Sequence, residues 1–185
     1  MRIIAGTARS RTIEAPKGRD TRPTLDRVRE NLFNILQGRI AGAVTLDLFG
    51  GSGALSLEAV SRGAAMAVMA DRDRAAIAAQ QLNVRNLGFE QNTRIIHAEW
   101  QQTVRTLQGE VMRFDLVFLD PPYESNAAQR AAELILELDL LAEDGTVIIE
   151  HNEKFPPQPV PGLMRIVDQR KYGYVRLAFI EREGC

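Results

Sequence analysis

Residues 44 to 60 read VTLDLFGGSGALSLEAV. The first part, VTLDLF (44–49), is a short apolar, β-branched run, the signature of a buried strand. From Ala54 the chain suits a helix that closes at Gly63. Between the two stand Gly50, Gly51 and Gly53, where the chain can turn tightly and a ligand can approach the backbone. A strand, a glycine turn and a helix in that order open a parallel sheet, and ligands of such sheets bind beyond the carboxyl ends of the strands.

Working outward, the alternation continues. MAVMAD (66–71), TRIIHA (93–98), FDLVFLD (114–120) and GTVIIEH (145–151) read as strands. Residues 74–87, 100–108 and 127–138 read as helices between them. Near-continuous apolar strands separated by helices imply a parallel sheet covered on both faces. The end differs: 152–162 holds four prolines and reads as an irregular loop, and MRIVDQRKYG and YVRLAFIE alternate across Gly173 like an antiparallel hairpin. The expected fold is therefore α/β and doubly wound, with seven strands, mostly parallel, ending in a hairpin.

The front differs as well. RIIAG and RTIEA are short extended pieces joined by a polar turn, and TRPT precedes LDRVRENLFNIL, where Val28, Leu32, Ile35 and Leu36 share a helical stripe and Thr24 is a candidate N-cap. Residues 1–40 thus read as a hairpin-plus-helix extension, and 41–185 as the α/β domain.

Composition excludes several classes. In 185 residues there is one cysteine, Cys185, and there are two histidines, His97 and His151, so neither a disulfide framework nor a cysteine or zinc site is expected. Neither histidine is expected to be catalytic. The opening MRIIAGTARSRTIEAP lacks a long apolar run, so a secretory leader or membrane span is not expected, and a reducing cytoplasm is. Net charge is −1, but residues 1–39 carry nine Lys/Arg against four acids, and the rest of the chain carries 14 against 20. Eight of those nine are arginines, which suit bidentate phosphate contacts; a solvated face is the alternative.

The glycine turn has two acids. Asp47 precedes it, and Asp71 ends the next strand, twenty residues after Gly51, where a carboxylate can take both hydrogen bonds of a ribose diol. A dinucleotide and S-adenosylmethionine both fit this pattern. The dinucleotide fingerprint wants Gly or Ala three residues after Gly53, where Ser56 stands, and Asp47 is ill placed beside a pyrophosphate but suits a cationic amino group.

The strand 114–119 ends in Asp120-Pro121-Pro122-Tyr123. Prolines lack an N–H, so their carbonyls meet no competing local donor; Asp120 adds a carboxylate, and Tyr123 a flat face. Two acceptors and a stacking surface match a planar substrate with an exocyclic NH₂. Held by both N–H atoms, such an amine turns its lone pair toward an electrophile, here the sulfonium methyl of S-adenosylmethionine.

With these motifs quoted, the chain resembles the RsmD-type enzymes, which methylate the guanine N2 of 16S ribosomal RNA. The blocks MRIIAG, TRPTLDRVRENLFNIL, LDLFGGSGALSLEAVSRGA, LDPPY and KYGYVRLAF stand in the family's order. The TRPT block discriminates most, because the Asp-Pro-Pro-Tyr motif also occurs in DNA and protein-glutamine methylases. The resemblance implies a Rossmann-like class I methyltransferase sheet, S-adenosylmethionine as cofactor, and 16S rRNA as partner, within an assembling small subunit, with a monomeric enzyme. It implies Asp47, Phe49, Gly50, Gly51 and Gly53 around the methionine end, Asp71 and Arg72 on the ribose side, and Glu99 toward adenine. Asp120, Pro121, Pro122 and Tyr123 become the catalytic set, with Asp120 also beside the cofactor. Arg9, Arg11, Arg22, Thr24, Arg27 and Arg29 become RNA-facing. A departure is Tyr172-Gly173-Tyr174-Val175, where relatives often carry Asp-Thr after the glycine. A nucleotide-dependent oxidoreductase would leave 120–123 idle; a non-catalytic RNA-binding assembly factor would not need Asp120.

Overall fold

The computed structural model describes residues 1–16, 23–121 and 126–184, with the side chains of 23–25 excepted. Its strands are β1 (Val44–Asp47), β2 (Met66–Asp71), β3 (Thr93–His97), β4 (Phe114–Leu119), β5 (Leu141–His151), β6 (Met164–Tyr172) and β7 (Val175–Arg182). The helices are α1 (Pro23–Ile35), α2 (Ala54–Ser61), α3 (Arg74–Leu87), α4 (Trp100–Gly109) and α5 (Ala127–Glu137). The strands make one sheet in the order β3-β2-β1-β4-β5-β7-β6, parallel as far as β5 and antiparallel through β7 and β6. The order reverses direction on either side of β1, the place where an open α/β sheet leaves a crevice at its carboxyl edge.

Two layers of side chains explain why these runs are so apolar. On one face α4 and α5 pack Val104, Leu107, Ala131, Ala132 and Ile135 against Leu46, Val117, Val147 and Ile149. On the other, α1 packs Val28, Leu32, Phe33 and Leu36 against Leu116, Phe118, Ile148, Leu177 and Phe179. Phe33 and Phe118 meet ring to ring at 5.9 Å, tilted by 40°, an arrangement that adds to simple burial.

The buried arc of α1 is centred near Arg29 and Leu36, so Phe33 is fully covered while Ile35, expected on the stripe, is largely exposed at its margin. The helix starts on Pro23, a residue pre-set for the first helical turn, so Thr24 falls inside the helix rather than at its cap. β5 begins at Leu141, four residues earlier than the apolar run suggests. Leu141 pairs with Phe114 across a register shift that the pattern of apolar residues does not announce.

Helix α2 is buried almost all round, with Ser56, Leu57, Glu58, Ala59, Val60 and Ser61 all covered. The reason is the N-terminal segment, which lies on its outer face. Ile3, Ala8 and Ile13 join Leu57, Met69, Val84 and Leu87 in one apolar cluster. The segment folds back through a single antiparallel bridge, Arg2 to Thr12, rather than two full strands. It reaches α2 so closely that a Cβ on Gly6 would stand 1.7 Å from the Ser61 carbonyl oxygen. Among the described residues, no helix is long and apolar enough to cross a membrane.

Candidate functional site

The site is built where β1 and β4 end side by side. A cavity of about 230 Å³ opens there, and Asp47, Phe49, Gly50, Gly51 and Asp120 are all on its walls. The two motifs that the sequence separates by some seventy residues thus face one space. Asp120 is the first residue past β4 and is exposed; Pro121 follows it, buried. Pro122 and Tyr123 lie outside the described residues, as does Arg22.

The glycine turn is fixed by its neighbours. Gly50 donates its N–H to the Ala70 carbonyl at 2.9 Å, and Gly53 donates to the Gly50 carbonyl at 2.7 Å. Gly51 donates to Asp71 Oδ2 at 2.9 Å, so the acid of β2 is fastened to the turn it was expected to serve. All three glycine N–H groups are therefore engaged within the protein. The glycines themselves offer no free donor to a pyrophosphate. Gly53 caps the start of α2 between Ser52 and Ala54, which line the cavity, and is not itself on its wall.

Asp47 carries the electrostatic argument. It is 2% exposed, accepts the Phe49 N–H at 3.3 Å and the Ser56 hydroxyl at 3.5 Å. Burial is the main cause that pushes its pKa up to about 7, and the Asp71 charge adds to the rise. A buried acid on the wall of a cavity is relieved by a cation brought in with the ligand and opposed by a phosphate. The amino group of a methionine-type ligand meets that demand, and Gly50 on the cavity wall has no space for a side chain on its other side, where a Cβ would come within 2.7 Å of Gln80 Nε2. The residues fit the methionine end of S-adenosylmethionine.

Arg72 and Glu99 sit apart from this cavity, beyond the ends of β2 and β3. They pair at 3.4 Å and both are well exposed. His97 Nε2 lies 3.1 Å from the Arg72 carbonyl, a link that steadies the β2 end. Among the described residues, no group of three or more His, Cys, Asp or Glu side chains is placed to hold a metal ion.

The described arginines expected to face RNA are dispersed. Arg29 is 5% exposed, lines the cavity, and donates to the Arg2 carbonyl and to Asp26 Oδ1. Burial lowers its pKa, and Asp26 and Glu58 work against that. It occupies the centre of the buried arc of α1, so it faces inward. Arg11 donates to the Leu87 and Asn86 carbonyls at the carboxyl end of α3, where a cation offsets the helix dipole. Arg9 is exposed in the turn of the N-terminal segment, beside Ser61, and that is the opposite end of the sheet from Asp120. Arg27 alone of the four is both exposed and near the start of α1, where Asp26 and Arg29 line the cavity. The Thr24 side chain lies outside the described residues.

Two residues that shape the turn escaped the sequence reading. Gln80 of α3 donates to the Gly51 carbonyl at 3.2 Å, and Asn83 donates to the Ser52 and Glu14 carbonyls at 2.9 Å each. Both are fully buried. Their signal was there: two amides three residues apart among the apolar positions of α3.

Comparison with known proteins agrees with this geometry. The family model described as Conserved hypothetical protein 95 matches residues 1–181. The chain is 34% identical over 186 residues to Ribosomal RNA small subunit methyltransferase D of Escherichia coli strain K12, covering all of this chain and 91% of that one. It is 32% identical over 176 residues to the protein of the same name from Haemophilus influenzae, covering 95% and 90%. The solved structure of yhhF from Escherichia coli superposes with a TM-score of 0.85 at 31% identity, over 100% of this chain and 99% of that one.

Proposed function

The chain belongs to the family described as Conserved hypothetical protein 95, and we propose from that premise that it is an S-adenosylmethionine-dependent methyltransferase of small-subunit ribosomal RNA whose acceptor is the exocyclic N2 amine of a guanine. The observation that carries the reading is the shared cavity, with the buried acid Asp47 on one wall and Asp120 on the other. When bound, S-adenosylmethionine supplies an electrophilic methyl on sulfonium.

The rest of the chemistry belongs to the chain. Asp47 receives the amino group of the cofactor, Phe49, Gly50 and Gly51 shape its bed, and Asp71 holds the ribose while keeping Gly51 in place. Arg72 and Glu99 border the adenine side. Asp120 and the Pro121 carbonyl accept the two N–H atoms of the guanine amine and aim its lone pair. Positive charge that develops on that nitrogen is stabilised by the Asp120 carboxylate, a preorganised contact of the kind that is worth roughly 10²–10³ in rate. Pro122 and Tyr123 complete the base contact, Tyr123 as a stacking face. In this reading residues 41–185 do the chemistry, and residues 1–40 close the cavity and contact RNA through Arg22, Thr24 and Arg27. The enzyme, in this reading, works as a cytoplasmic monomer on an assembling small subunit, and the target base is splayed from its stack to reach the pocket.

Labelled S-adenosylmethionine offered with small-subunit rRNA, assembled subunits, DNA and protein tests the proposal. The expected product is N2-methylguanosine in nuclease digests of the rRNA, and Asp120→Ala lowers its rate at least about a hundredfold while S-adenosylhomocysteine still binds. Label in DNA or protein alone, or full activity of Asp120→Ala, would overturn it.

A further inference from the structure

One part of the ligand end of the sheet has no task in that mechanism. β5 finishes there, and so does the hairpin, because β6 runs out to Tyr172 and β7 starts back at Val175. Of the described aromatic rings, the two that stand most open to solvent are Phe155, 41% exposed, and Tyr174, 52% exposed. Both lie at this edge. Phe155 is four residues beyond β5, and Tyr174 is in the hairpin turn.

The two are fastened into one surface. Glu153 accepts a hydrogen bond from Arg176 and lies 3.6 Å from Lys171 Nζ, so the loop after β5 is tied to the hairpin within a few residues of each ring. Asn152 Oδ1 accepts the N–H groups of Lys154 at 2.8 Å and Phe155 at 3.2 Å, which sets the backbone beneath the Phe155 ring. Gln129 of α5 holds the other end of the loop by two bonds to the Gln158 backbone. A cavity of about 320 Å³ opens at this surface, and its walls include Phe155, Lys154, His151 and Pro121, the residue after Asp120. His151 is buried, its Nδ1 is taken by the Asn152 carbonyl at 2.8 Å, and its Nε2 is buried with no hydrogen-bond partner.

We propose that Phe155 and Tyr174, flanked by Lys154 and Lys171, receive the single-stranded RNA adjoining the target nucleotide. The inference rests on the methyltransferase reading and adds to it the path of the strand. Flat rings stack on any base, and lysines meet phosphates as point charges. Four cations at this edge, Lys154, Arg170, Lys171 and Arg176, stand with three acids, Glu150, Glu153 and Asp168, a small positive excess in which Lys154 has no acidic partner among the ion pairs of the described residues. A nucleotide stacked on Phe155 would stand at the cavity that Pro121, the residue after Asp120, also lines.

Fluorescence anisotropy of a short labelled single-stranded RNA, measured without cofactor, tests the surface alone. Phe155→Ala and Tyr174→Ala are each expected to weaken binding about tenfold, and Phe155→Trp to retain it. Lys154→Gln with Lys171→Gln is expected to lower the slope of log affinity against log salt by about 1.4. Calorimetry with S-adenosylhomocysteine should be unchanged in every variant, and that measurement tests the cofactor reading separately. Binding of the Phe155→Ala/Tyr174→Ala variant within about twofold of the parent, or no RNA binding by the parent, would overturn the surface while leaving cofactor binding to stand or fall by itself.

Discussion

The N-terminal segment and the hairpin edge invert one another. In the sequence residues 1–39 carry the net positive charge, nine Lys/Arg against four acids, and the second reads as a hairpin turn. In the fold two of the described N-terminal arginines are committed to holding the protein together: Arg29 inward beside Asp26, Arg11 on the end of α3. The edge beyond β5 and β7 instead presents rings and lysines beside the catalytic cavity. Charge counted along a chain measures supply, and only topology says which end of the sheet receives it.

If the N-terminal segment is chiefly a cover for α2, its anchor should matter most to stability. Glu58 is fully buried and accepts the N–H groups of Ile4 at 2.8 Å and Ala5 at 3.0 Å and the Arg62 Nε at 2.7 Å. Glu58→Ala strands those donors, so the urea midpoint should fall by an amount equivalent to about 3–5 kcal/mol, and trypsin should gain access to Arg9 and Arg11. A midpoint unchanged from the parent would show that the cover is held by apolar contact alone. Glu58→Gln, which keeps acceptor capacity, should lose less.

The cavity side offers a pH test. A carboxyl whose folded pKa is about 7 against an ordinary 3.8 binds more protons folded than unfolded between those values. Stability of the ligand-free protein should therefore decline as pH rises from about 4 to about 7, by up to roughly 4 kcal/mol, and Asp47→Asn should flatten that decline. Binding of an ammonium beside Asp47 favours the charged acid, so affinity for S-adenosylhomocysteine should rise about tenfold per pH unit below 7 and level off above it. Calorimetry across pH checks both, and an affinity independent of pH would remove Asp47 from the amino-group contact.

Much of the fold could be read from residues alone, because strand after strand is largely apolar and each helix is preceded by glycine or a polar residue. β2 and α3 match the sequence reading residue for residue. The site was readable where local chemistry is unusual, at the glycine turn and at Asp120. It was hidden where burial depends on distant chain. Nothing near Arg29 states that the Arg2 carbonyl will come to meet it. Nothing near Gln80 and Asn83 states that α3 will brace the glycine turn. Phe155 passed as part of a proline-rich loop because its neighbours on the hairpin are some twenty residues away in the chain.

The smallest expected effect is the one that separates the two regions most directly. Arg9 is exposed and carries a full charge, as Lys171 does, but it stands beside Ser61 at the far end of α2. Eight helical residues place that end about 12 Å from the glycine turn, beyond the screening length of about 8 Å at physiological salt. Arg9→Glu should therefore change affinity for single-stranded RNA by less than about twofold, whereas Lys171→Glu, at the open edge, should weaken it several times more. Both belong in the same anisotropy titration at one salt concentration. Equal losses would mean that the strand wraps α2 as well as the hairpin, and that the sequence charge count had located a binding surface after all.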